Sequence, residues 1–98
     1  MTRQVPYPHP GEILAEEFLQ PRGITPCRLA KAIHVPQTRI SAILAGERAV
    51  TADTALRLAR FFGVSDTFWM NLQTAYDTAM AKDELADELK TIEQLEAA

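Results

Sequence analysis

One cysteine, Cys27, stands among 98 residues, so no disulfide can close within the chain. A reducing cytosol is the setting such a composition suits. Histidine occurs only at His9 and His34, and two histidines with one cysteine make no metal-ligand spacing. Long apolar runs are missing too. The stretch around Phe61 to Leu72 is broken by Gly63, Ser65, Asp66 and Asn71, which excludes a bilayer-spanning helix. The N-terminus shows no charged stretch leading into an apolar run, so no signal peptide is expected. No segment alternates apolar and polar residues with period two, so no sheet is expected beyond short pairing by an N-terminal arm. No repeat recurs along the chain.

An excess of positive charge is also absent: the net charge is −3. Divided by region, the picture changes. Arg22 to Arg60 holds seven basic and two acidic side chains, a net +5. From Phe61 onward there are two basic and eight acidic, a net −6, and residues 1 to 21 contribute −2. A basic middle is the local footprint that matters for nucleic acid.

What is present is helical. Residues 1 to 10 hold three prolines and read as an extended arm. Ile13, Leu14, Ala15, Phe18 and Leu19 predict helix one over about 10–19, ended by Pro21 and Gly23. Thr25 as N-cap with Pro26 behind it opens helix two, about 26–33, with Leu29, Ala30 and Ile33 inward. Helix three starts at Pro36, turns Ile40, Ile43 and Leu44 inward and ends at Gly46. Thr51 caps helix four, whose inward stripe is Ala52, Ala55, Leu56, Ala59 and Phe62. Ser65 caps helix five, with Phe68, Leu72, Ala75, Tyr76 and Ala79 inward. Residues 82–98 read as one acidic amphipathic helix with a narrow stripe of Leu85, Leu89, Ile92 and Leu95.

Helices two and three are joined by His34 and Val35 alone, a turn so short that they must cross steeply, as in a helix-turn-helix. Such a turn wants a residue at φ > 0. Here that position falls to His34, where glycine is usual. With Ile40 and Ile43 buried, Thr38, Ala42 and Ala45 point the other way, flanked by Gln37, Arg39 and Ser41. Small and hydrogen-bonding side chains with one arginine suit a major groove. Arginine takes both acceptors of guanine, glutamine pairs adenine, and alanine or a threonine methyl meets a thymine methyl. Gln37, Thr38, Arg39, Ser41 and Ala42 are the base-reading candidates, and Arg28, Lys31 and Arg48 the phosphate-binding ones. Each of those three also fits an ordinary solvated charge.

An enzyme reading needs Cys27 with His9 or His34 as nucleophile and base, but no third orienting group is evident. Glu16 and Glu17 point apart on a helix and make no catalytic pair. Asp53 and Arg57, at i and i+4, suit an exposed ion pair. Trp69, Met70, Gln73 and Tyr76 form a second stripe on helix five. Trp69 fits the core, and the stripe as a whole fits a homodimer seam.

The phrases HPGEIL at 9–14, LAKAIHVPQTRISAILAGER at 29–48, TADTALRLARFFGVS at 51–65 and FWMNLQTAYD at 68–77 resemble the HigA family of antitoxins, within the Cro/phage-repressor-like helix-turn-helix group. The resemblance spans roughly residues 8 to 80. It implies an all-α, five-helix Cro/repressor-like helix-turn-helix domain over 1–81, here with a C-terminal helical extension over 82–98. It also implies homodimers on the palindromic operator DNA of their own operon, and a HigB-like toxin, an mRNA endonuclease, as protein partner. A cytoplasmic, nucleoid-associated protein without cofactor or membrane is the expectation. A stand-alone phage-type repressor and a protein-interaction module with a degenerate helix-turn-helix remain the alternatives. The acidic tail, net −5 over residues 83–98, would be repelled by DNA. A stripe that narrow must dock on something, whether its own domain, a second copy or a toxin.

Overall fold

The computed structural model describes residues 7–96, and among them every regular element is a helix. Most of the expected arm therefore lies outside the described residues, as does the very end of the tail.

The first helix, α1, begins as an α-helical turn at Pro10–Ile13, widens into a π-helical stretch at Leu14–Leu19 and tightens into a 3₁₀ turn at Gln20–Arg22. Leu14 and Leu19, both buried, are five residues apart, a spacing an α-helix would splay by ~140°. The wider turn brings them back to one face. The helix thus runs through Pro21 and ends at Gly23, whose φ of 63° is left-handed. His9 caps its start: Nδ1 accepts the Gly11 N–H at 2.9 Å, and the ring meets Tyr76 edge-on at 5.0 Å.

Helix α2, Pro26–Ile33, has the expected bounds. Thr25 Oγ1 accepts the Arg28 N–H, and Leu29, Ala30 and Ile33 are buried. His34 follows at φ 64°, the left-handed conformation the short turn requires. The Val35 N–H returns to the Ala30 carbonyl at 3.0 Å, which closes the turn. Helix α3, Gln37–Leu44, starts one residue later than expected, with Pro36 in the capping position. Ile40 and Ile43 fix its underside.

Helix α4, Ala52–Phe62, departs in three details, the first being that Ala52, expected inward, is exposed. Thr51 stands before it, but its side chain makes no capping bond. The inward stripe is Ala55, Leu58 and Ala59, so Leu58 takes the place expected of Leu56, which is 51% exposed. At 100° per residue, Leu58 lies about 60° from Ala55 and about 40° from Phe62, whereas Leu56 lies about 100° and about 120° from them. Helix α5, Phe68–Glu84, begins after a turn in which the Ser65 carbonyl, rather than its side chain, takes the Phe68 N–H. Its centre is Trp69 and Gln73, both buried, whereas Ala75 is exposed. Of the four seam candidates, Trp69 and Gln73 are buried within the chain and Met70 and Tyr76 are half-buried.

Trp69 sits among Phe18, Phe62 and Phe68, with ring centroids 5.0, 6.4 and 5.2 Å away. Arg22 seals this cluster, its guanidinium 5.4 Å from the Phe18 ring and 5.8 Å from Phe62. The tail also differs from expectation. α5 runs unbroken past Lys82, Leu85 interrupts it, and α6, Ala86–Lys90, is a five-residue remnant. Residues 92–96 are not helical, and Leu85, Leu89, Ile92 and Leu95 all stay exposed, so the stripe does not dock on its own domain.

Candidate nucleic-acid interface

The outward face of α3 presents Gln37, Thr38 and Ser41 to solvent, with Ala42 half-buried at its edge. Arg28 and Lys31 are exposed on α2, and Arg48 on the loop that follows α3. The small residues at 41, 42 and 45 keep this surface low, so backbone can come close to whatever it meets.

Arg39 is held differently. Its side chain is only 26% exposed, and Nη1 donates to Asp53 Oδ1 at 3.3 Å and to Thr54 Oγ1 at 3.4 Å, both on the first turn of α4. Asp53 also accepts from Arg57 Nε at 2.7 Å, the i, i+4 pair expected from spacing. Spacing did not show what else Arg57 does. Its Nη1 donates to the Ile33 carbonyl at 2.8 Å and the His34 carbonyl at 3.3 Å, which lack helical partners at the end of α2. One arginine on α4 thus ties down the end of α2 and, through Asp53, the side chain of Arg39 on α3. Helices α2, α3 and α4 meet at this relay.

The hydrogen bond from Arg57 holds the Asp53 carboxyl below its ordinary value of 3.8, and the charges of Arg57 and Arg39 add to the effect against a desolvation that opposes it. A lowered carboxylate contributes stability above its unfolded-state value and loses it as pH falls through the folded one. The melting temperatures of wild type and Asp53→Asn should therefore differ slightly at neutral pH and converge below pH 3.8. A gap that persists unchanged into acid would mean that the carboxylate charge is not what holds the relay.

Behind the interface, Gln73 sets the loop carrying Arg48. Its Oε1 accepts the buried Val50 N–H at 2.7 Å, and its Nε2 donates to Asp77 at 2.9 Å. Sequence reading placed Gln73 on a seam. The only hint of its role was a polar residue one helical turn after the buried Trp69. Gly11 was likewise passed over: it lies where α1 crosses α3, against the backbone at Ile43. No group of three metal-ligating side chains occurs among the described residues, and none of their helices is long and apolar enough to cross a membrane.

Residues 16–69 match the helix-turn-helix family model. Virulence-associated protein I of Dichelobacter nodosus is 52% identical over 81 residues, covering 83% of this chain and 75% of that one. An addiction module antidote protein of the HigA family from Coxiella burnetii superposes with a TM-score of 0.87 at 46% identity, over 93% of this chain and 100% of that one. The chain belongs to the HigA family of helix-turn-helix antitoxins. Pseudomonas aeruginosa antitoxin HigA, solved with the higBA promoter, is similar at a TM-score of 0.88 and 41% identity, over 92% of this chain and 99% of that one. HigA-type proteins are regulators rather than enzymes, which removes the Cys27 reading. Cys27 is exposed on the first turn of α2.

Proposed function

We propose that this HigA-family chain binds the operator of its own operon as a two-fold pair and neutralises a HigB-like mRNA endonuclease. The observation that carries the DNA half is the low, polar face of α3, locked against α2 and α4 by the Arg57 relay. The Pseudomonas relative solved with its promoter supports it. Gln37, Thr38, Arg39, Ser41 and Ala42 read bases in this proposal, while Arg28, Lys31 and Arg48 hold phosphates. The toxin half rests on family membership. A cytoplasmic protein working at the nucleoid follows from that role.

Mobility shift of the chain's own promoter fragment, with co-purification of the neighbouring gene product, tests both halves. Promoter binding without a co-purifying partner would leave a stand-alone repressor. A partner without promoter binding would leave a pure interaction module. Arg39→Ala should weaken specific binding by ~1–3 kcal/mol, the range for a bidentate base contact. Unchanged affinity at fixed salt would remove Arg39 from that role. Arg48→Ala should weaken all DNA sequences alike and lower the salt slope by about one. A loss confined to one base position would contradict a phosphate contact.

A further inference from the structure

Among the described residues, two uncovered apolar surfaces carry opposite charge. The first is a groove between the end of α2 and the outer face of α4. Ala32, Ile33 and His34 form one wall, Leu56 and Phe61 the other, and Arg57 and Arg60 stand beside them. Leu56 is 51% exposed and Phe61 38%, although both lie on a helix whose other face is core. Leu56 and Arg60, one turn apart, put an apolar and a cationic group side by side. The second surface is the tail. Leu85 is 47% exposed and Leu89 43%, also one turn apart, with Asp87 and Glu88 between them on α6.

We infer that the tail of one copy lies in the α2–α4 groove of a second copy, and the reverse, so that the dimer is clasped twice. Leu85 and Leu89 then cover Leu56 and Phe61, and the α6 carboxylates face Arg60. Charge decides the occupant. With Arg57 held by Asp53, Arg60 gives the apolar groove the cationic rim that suits an acidic apolar segment, and an acidic tail is kept off DNA. The tail's own condition points the same way: a five-residue helix with exposed leucines lacks the length to be stable alone and needs a surface to order it. This deepens the operator reading and rests on it for the premise that two copies act together.

The test is run without DNA. Cys27→Ser removes the native thiol, and Phe61→Cys and Leu89→Cys are introduced in separate chains of that background. The oxidised mixture should give disulfide-linked dimers far more efficiently than either chain alone. Self-linking of the Phe61→Cys chain at equal efficiency would show α4 faces packed on each other and overturn the clasp, as would no linking at all. In sedimentation of the otherwise native chain, Arg60→Glu should weaken the dimer about tenfold or more, with part of the loss restored by Asp87→Lys with Glu88→Lys. A dimer indifferent to Arg60→Glu, or a wild-type monomer at micromolar concentration, counts against the clasp. A clasped dimer that ignores the promoter would instead defeat the operator reading, and an unclasped protein that binds the promoter would defeat only the clasp.

Discussion

Gly11→Ala is expected to destabilise the domain by at least the upper end of the ~1–3 kcal/mol that overpacking brings. A methyl group there falls onto the Ile43 carbonyl oxygen, with the Leu44 backbone close behind. The obstacle is main chain, which has no rotamer to move to. Relief requires α1 and α3 to separate, and α3 is pinned by Ile40 and Ile43 in the core. A domain of this size loses about 4–8 °C of melting temperature per kcal/mol, so the drop should be plain in a thermal melt. Gly23→Ala is the control. Its left-handed φ of 63° is strained for alanine, but a side chain there meets open space. A Gly11→Ala chain that melts no lower than Gly23→Ala would show that the α1–α3 crossing yields at little cost.

Gln73→Leu should cost about 1–3 kcal/mol, the penalty for a buried donor left without an acceptor. Val50 is buried, and its N–H has Gln73 Oε1 as its partner at 2.7 Å. Leucine fills the space and offers no oxygen. Gln73→Glu separates packing from hydrogen bonding: it keeps an acceptor for Val50 but loses the donor to Asp77 and sets two carboxylates together. Chemical denaturation of both variants checks this. A Gln73→Leu chain as stable as wild type would mean that the loop after α3 can find another acceptor. Operator affinity should fall with stability, since this loop carries Arg48.

The parts legible in the sequence are those governed by neighbours along the chain. Thr25 and Pro26 fixed the start of α2 through a local capping bond, and the short connection after Ile33 put a left-handed residue at His34. The Asp53–Arg57 pair followed from helical spacing. Illegible were the features set by packing between distant segments. Leu56 and Leu58 both satisfy a hydrophobic count, and which is buried depends on the helices α2 and α5 that α4 packs against. The π-helical stretch arises because Leu14 and Leu19 must share a face, which a 3.6-residue period does not anticipate. Gln73 reads as a surface residue until its acceptor is matched with Val50, 23 residues away. The tail read as one long helix because its leucine spacing was right. It stops at Lys90 because no partner surface within the described residues supports the rest.

Helix α3 is held by two kinds of force that respond differently to the medium. Its underside is seated by Ile40 and Ile43, a grip indifferent to dissolved ions. Its flank is latched by the half-exposed Arg39–Asp53–Arg57 relay, whose contacts of 3.3 and 2.7 Å become comparable to the screening length, ~3 Å, only near 1 M salt. Raising ionic strength therefore loosens the latch before it unseats the helix, and α3 gains freedom to roll about its own axis while the fold stays intact. Fidelity, measured as the ratio of operator to scrambled-site affinity, should then decline with salt in wild type. In Asp53→Asn, whose latch is already open, that ratio should start lower and change less.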